Sequence, residues 1–375
     1  ICVKDKNKPR AIGSENFTFD KNDILNDESI NVIVELIDDA DAAYEIVTEA
    51  LKRGKAVVSA NKKMIAEHFT ELLELQEKYN VPLLYEAAAC ASIPIIRNLE
   101  EYYDNDLLES IEGIVNGSTN YILTKTFAEN LSYDEALKQA QDKGFAETNP
   151  ILDTGGFDAK YKLLILLAHA FGYIAKPSDL FNIGIDGIGS LELKYAKEKG
   201  LKIKLIAQAY KGSDGQLSAF VIPKFVTPEE RLFNVDDVFN GVVTKTSFAD
   251  TQFFVGKGAG AHPTASAVLS DISALSYDYR YEYKKIKQQE NLVLSDDALL
   301  SVLLRHKNED AETFKKQFAT IDEAYTNNEW GYITGAITLN NLKQIQSGNT
   351  GDRSFILQHI ITPQEVAVNE PALTA

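Results

Sequence analysis

Between residues 30 and 88, three short apolar runs alternate with two amphipathic segments. The runs are INVIVELI (30–37), KAVVSA (55–60) and PLLYEAA (82–88); the segments are AAYEIVTEALKRG (42–54) and MIAEHFTELLELQEKYN (64–80). No other feature of the chain constrains its fold as strongly. Runs so rich in Val, Ile and Leu suit strands buried on both faces, and parallel strands need a crossover that is usually a helix. The order predicts β-α-β units in a parallel, doubly wound α/β sheet over residues 1–96. ICV at residues 1–3 also reads as a strand, so the first segment of this domain is expected to lie before Ile1.

With 375 residues, the chain exceeds what one ordinary core accommodates. Residues 97–258 read as a mixed α+β domain. A helix is predicted over 95–103, a strand over 111–117 (IEGIVNG) and a helix over 132–144 (SYDEALKQAQDKG). After Gly200 the runs KIKLIAQAY, QLSAFVIPKFV, GVVTKTSF and QFFVG suit an antiparallel sheet with one face on helices. GKGAGAHPTASAVLSDISAL then gives a glycine-rich turn and a helix, over 259–275, that returns to the first domain. Residues 276–375 read as a small separate α/β module.

A formal charge of −17 argues against sequence-independent nucleic-acid binding, which needs clustered cations. The two cysteines, Cys2 and Cys90, form no CxxC pair, which suits a reducing compartment rather than a zinc or disulfide framework. The apolar run that starts at Leu163 is shorter than the ~20 residues a membrane helix needs, so the expected location is cytoplasmic.

Four stretches carry candidate chemistry. In GFAETNPILDTGGFDAKYKLLILLAHAFG (144–172), Asp158 and Lys162 are spaced i, i+4 and share a face of a helix expected to begin near Phe157, capped by Asp153 or Thr154. Lys162 would sit in the second turn, near the positive end of the helix dipole and among apolar neighbours, which favours its neutral form. Asp158 and Glu147 favour the charged form. A lysine so balanced suits proton transfer, although a plain ion pair has the same spacing. In VVSANKKMIA (57–66), Ser59, Asn61 and Lys62 follow a buried strand at the carboxyl end of the sheet, where open α/β folds bind ligands. YEAAACASIPII (85–96) is rich in small residues that allow carbonyls to approach an ion or simply to pack. GKGAG (256–260) opens a helix, a weak sign of phosphate or nicotinamide contact.

VVSANKK, YEAAACASIPIIRNL, GIVNGSTNYIL, GFAETNPILDTGGFDAKYKL and GKGAGAHPTASAVLSD, in this order, closely resemble homoserine dehydrogenase over roughly residues 1–275. The resemblance implies a Rossmann nucleotide domain, a catalytic and dimerisation domain, and reduction of L-aspartate 4-semialdehyde to L-homoserine by NAD(P)H. It places Lys162 on the proton-donating lysine and Lys62 on a second lysine near substrate and nicotinamide. Glu147, Asp153 and Asp158 fall on the acids of the substrate pocket, with Gly144 beside them and Gly260 near the nicotinamide. Carbonyls of the Glu86, Ala89, Ala91 and Ile93 loop would hold a monovalent cation, usually sodium. A homodimer or higher homo-oligomer is implied, with no nucleic-acid or membrane partner.

The chain departs from the family at several points. No GxGxxG follows the first strand, so a first β-α unit of about thirty residues is expected to be missing. Asp38-Asp39 replaces a glycine pair, CAS stands where two glycines are common, and Gly155 replaces a glutamate. Lys4, in the lysine-rich VKDKNKPR stretch, leans the cofactor towards NADP(H) rather than NAD(H). Residues 276–375 are similar to an ACT regulatory domain without its usual Pro-Gly turn. The rival readings are another NAD(P)-dependent amino-acid oxidoreductase of the same architecture, or a cofactor-deficient regulatory or assembly subunit.

Overall fold

The computed structural model describes residues 1–105, 107–212, 215–288, 292–347 and 353–361. The first part runs α1 (Asn22–Leu25), β1 (Val32–Glu35), α2 (Ala40–Lys52), β2 (Ala56–Ser59), α3 (Lys62–Glu67), α4 (Phe69–Tyr79) and β3 (Leu83–Leu84). β1, β2 and β3 form a parallel sheet with β2 in the middle, as the alternation predicts. Asp39, half of the pair that replaces two glycines, caps α2: its carboxylate accepts from Ala42 N at 3.0 Å. Two expectations fail here. ICV does not join the sheet; Cys2 makes one parallel bridge with Thr18, and the polar stretch that follows is mostly exposed. The single helix expected over 64–80 is two helices, broken at His68 (φ −121°, ψ 25°), whose ring stacks on Tyr44 at 3.8 Å.

The chain continues through α5 (Ile95–Glu101), β4 (Leu108–Ile114), α6 (Gly117–Ala128), α7 (Tyr133–Asp142), α8 (Ile151–Thr154), α9 (Phe157–Phe171), β5 (Phe181–Asn182) and α10 (Ser190–Glu198). Then come β6 (Lys202–Lys211), β7 (Leu217–Val226), β8 (Phe239–Thr246), β9 (Asp250–Lys257), α11 (Ala261–Leu275) and α12 (Lys284–Gln288). α6 was not expected, because the strand predicted to Gly117 runs into it. Asn116 ends that strand and caps α6, accepting from Thr119 N at 2.8 Å. α9 is buried almost all round and packs against α3, α5, β6 and β7, so it joins both parts of the main core.

The final elements are β10 (Leu299–Lys307), α13 (Ala311–Lys315), β11 (Thr320–Thr326), β12 (Trp330–Thr338), α14 (Leu339–Gln346) and β13 (Ser354–Ile360). Their order is β-α-β-β-α-β. They are not set apart from the rest. β13 pairs in parallel with β7 at Leu357 and Lys224, giving one sheet in the order β11-β12-β10-β13-β7-β6-β4-β8-β9, with β5 beside β7. Ile183, Phe220 and Ile222 pack with Leu300, Val302 and Leu304, so this core grows out of the central sheet. Residues 289–291, 348–352 and 362–375 of the expected module lie outside the described residues. No helix among the described residues is long and apolar enough to cross a membrane.

Candidate active site

The first turns of α3 and α9 and the N-terminus of α6 meet around one carboxylate. Asp158, buried in the first turn of α9, accepts from Lys62 Nζ on Oδ1 and from Lys162 Nζ on Oδ2, both at 2.8 Å. Asn116 Nδ2 donates to the same Oδ2 at 2.8 Å and to Asp153 Oδ1 at 2.6 Å. One amide thus ties the two acids together. Burial alone would push the Asp158 carboxyl up, but Lys162 and Lys62 outweigh it and hold the group well below the usual carboxylate range. Asp153 is raised instead, by burial first and then by the charge of Asp158. Lys62 is raised by Asp158, against its own burial, and stays 40% exposed. Lys162 is buried; besides Asp158 it donates to Val115 O at 2.7 Å. An ammonium has three N–H donors, so one is left to face a ligand.

Neither Asp153 nor Thr154 caps α9, contrary to expectation. Both lie in α8, the Asp153 carboxylate is held by Asn116, and the cap position falls to Gly156 at φ 79°. Glu147 and Gly144 are not gathered into the cluster. Glu147 is exposed with no side-chain partner among the described residues, and Gly144 turns the chain out of α7 at φ 73°. Their loop is held against α6 by Ser118 Oγ, which donates to Phe145 O at 2.5 Å. Asn116 is the residue that sequence reasoning missed. It lay inside a quoted motif, and its polar side chain between an apolar strand and a helix was the available signal.

At the carboxyl end of the central strand β2, Ser59 and Asn61 are occupied by local structure. Ser59 Oγ donates to Glu35 Oε2 at 2.5 Å, while Asn61 accepts from Met64 N at 2.9 Å and donates to Ile37 O at 3.0 Å. Lys4 is exposed and far along the chain from these residues. In the 86–93 loop, the Glu86 carboxylate accepts from Ile96 N and Arg97 N, at 2.8 and 3.0 Å, at the start of α5. Burial, only partly opposed by those two bonds, pushes Glu86 up to about 7. Ala91 adopts the left-handed region at φ 42°, unusual for a residue with a Cβ. No group of three or more His, Cys, Asp or Glu side chains among the described residues could hold a metal. A cation in this loop would rest on carbonyls.

Ser92 ties the same loop to the end of β9, donating from Oγ to Lys257 O at 2.9 Å. That brings the Gly258–Gly260 turn beside it. Gly258 lies so close over the buried Asn240 amide that a Cβ there would fall 1.9 Å from Nδ2. Among the described residues neither Asn240 Nδ2 nor Oδ1 has a well-formed hydrogen bond; its amide acts only on the Cys90 thiol, a weak partner. A buried amide left unpaired costs roughly 1–3 kcal/mol, so this junction fits an additional polar group. Cys90 in the loop is inert by comparison: burial, against the nearby Lys162, pushes its thiol up to about 12.

A parallel β-α-β sheet, set beside a buried carboxylate flanked by two ammonium groups, defines the class as an α/β protein with a polar site beside the carboxyl end of its parallel sheet. Residues 1–86 match the family model described as homoserine dehydrogenase, NAD binding domain, and residues 94–273 match that described as homoserine dehydrogenase. The chain is 38% identical over 266 residues to the homoserine dehydrogenase of Lactococcus lactis, covering 71% of this chain and 62% of that protein. To the Bacillus subtilis homoserine dehydrogenase it is 31% identical over 331 residues, covering 86% of this chain and 76% of that protein. The crystal structure of a homoserine dehydrogenase from Thiobacillus denitrificans is similar with a TM-score of 0.82 at 27% identity, covering 96% of this chain and 89% of that one. The chain belongs to the homoserine dehydrogenase family. It spans less than two thirds of the length of several curated relatives it matches, 62% in the Lactococcus case.

Proposed function

We propose that this chain is the greater part of an enzyme that reduces L-aspartate 4-semialdehyde to L-homoserine with a nicotinamide cofactor. The observation that carries the reading is Asp158 shared between Lys62 and Lys162. When bound, the cofactor supplies hydride to the aldehyde carbon, and Lys62 and the turn at Gly260 are placed to hold its nicotinamide end. Negative charge then grows on the aldehyde oxygen. The free N–H of Lys162 stabilises that charge and gives up its proton from Nζ. Asp158 already takes three donors on its two oxygens, and its main role is to hold both ammonium groups in place. Lys62, on the solvent side of the same carboxylate, helps to keep Asp158 charged beside Lys162. Asp153, with one oxygen on Asn116, would take the substrate's ammonium.

The weakly partnered, buried Asn240 amide and the left-handed Ala91 support a polar occupant, a nicotinamide carboxamide or a sodium-like cation, at carbonyls of Glu86, Ala89, Ala91 and Ile93. The lean to NADP(H) rests on the basic charge of Lys4, Lys6 and Lys8 alone, since their stretch stands outside the parallel sheet. The outer strand β9 exposes Phe253 and Val255, and Phe239 and Phe248 stand exposed nearby; such an edge is suited to a second copy of the chain. Turnover of aspartate 4-semialdehyde, measured with NADPH and with NADH beside a panel of other amino-acid aldehydes and ketones, tests the reading. The semialdehyde with NADPH is expected to be the best pair. Equal or better turnover of another carbonyl substrate would reject the substrate assignment.

A further inference from the structure

The turn that carries Asp153 is held from behind. Asn182 Nδ2 donates to Gly155 O, and Ile185 N donates to Thr154 O, each at 2.7 Å. These are carbonyls at the end of α8, between Asp153 and the start of α9. The approach is so close that a Cβ on Gly184 would lie 2.0 Å from Thr154 O, and one on Gly155 would meet Ile151 O at 2.7 Å. This accounts for glycine at 155. A side chain there has no room.

The other end of the same segment is fixed to the C-terminal strands. Arg305 of β10 donates from Nη2 to Gly187 O at 2.8 Å and from Nε to Glu192 Oε1 at 2.5 Å. Its guanidinium lies 4.7 Å from the Trp330 ring centroid. Glu192, fully buried, also accepts from Gly189 N at 2.8 Å and from Ser354 Oγ of β13. A lone buried carboxylate would be costly, so this bonding fixes Gly187, Gly189, β10 and β13 to one another. The apolar residues repeat the pattern. Ile183 packs in the C-terminal core, whereas Ile185 and Ile188 pack in the main one.

We propose that residues 182–189 are a strap through which the C-terminal unit positions Asp153, and that Asn182 is a positioning residue for the amino end of the substrate. This rests on the reading of Asp153 given above. Rigidly held groups bind without an ordering penalty, and a turn released by even a small shift loses that advantage.

The test is a double-mutant cycle on the full chain, with Asn182→Ala, Asp153→Asn and the pair, read by steady-state kinetics, cofactor affinity and thermal unfolding. Asn182→Ala should raise KM for homoserine about tenfold, the factor carried by one good hydrogen bond, and leave NADP(H) affinity unchanged. In the Asp153→Asn background the same change should have little further effect. Arg305→Met should raise the same KM, with kcat changed less. Additive effects, or a lowered unfolding midpoint with KM untouched, would overturn the strap. If Asp153→Asn itself leaves KM and kcat unchanged, the placement of the substrate site has failed, and the strap falls with it. An effect of Asp153→Asn without one of Asn182→Ala rejects the strap alone.

Discussion

Two cations share Asp158, and its neighbours explain why its carboxyl lies low while that of Asp153 lies high. Replacing Asp158 by Leu removes the shared anion and leaves Lys162 buried with only Val115 O, so loss of turnover and of stability is expected together, the latter by about 3–5 kcal/mol. Asn116→Ala removes a helix cap worth about 1 kcal/mol and frees Asp153 from Asp158. A rise in KM for homoserine beyond the small loss in unfolding midpoint is expected, and an unchanged KM would contradict the role given to Asn116. Glu86 has a distinct pH signature. Its carboxyl titrates at about 7 when folded and near 4.5 in the unfolded chain, so the unfolded chain loses its proton first as pH rises. Its contribution is greatest below pH 4.5 and is lost as pH rises to about 7, by up to about 3 kcal/mol. Denaturant unfolding at pH 5 and 8 should show this fall in the parent chain and not in Glu86→Gln.

At the scale of elements, the strap makes a sharp demand on one glycine. Gly184→Ala drives a methyl into Thr154 O and should lower stability by about 1–3 kcal/mol, checked by denaturant unfolding; a neutral result would mean the 182–185 backbone is looser than its hydrogen bonds imply. The parallel sheet was legible from its apolar runs because burial on both faces leaves a continuous signal. The spacing of Asp158 and Lys162 was equally readable, since i, i+4 neighbours on one helix need no tertiary information. The break at His68 was not, because a stacking partner in α2 decides it. Lys62 joined Asp158 only through the motif resemblance; no local pattern links residues nearly a hundred positions apart. α6 escaped because Asn, Thr and Tyr favour helix weakly, and its start depends on the Asn116 cap.

For the molecule as a whole, the C-terminal strands complete the central sheet. A chain ending before β10 would uncover Ile183, Phe220 and Ile222 and leave the Lys224 end of β7 without β13. Such a chain is expected to aggregate or unfold on expression, as light scattering and circular dichroism would show; a folded, active fragment would mean that these strands dock without supporting the site. α9 packs against both the parallel-sheet part and the central sheet, so the placement of Lys162 in its second turn depends on both. In the proposed carbonyl reduction, Lys162 supplies the proton. The most direct measurement is kcat of Lys162→Ala beside the parent enzyme, with NADP(H) affinity and unfolding recorded on the same samples. A fall in kcat of about 10²–10⁴-fold with cofactor affinity and fold retained is predicted; a near-normal kcat would contradict it.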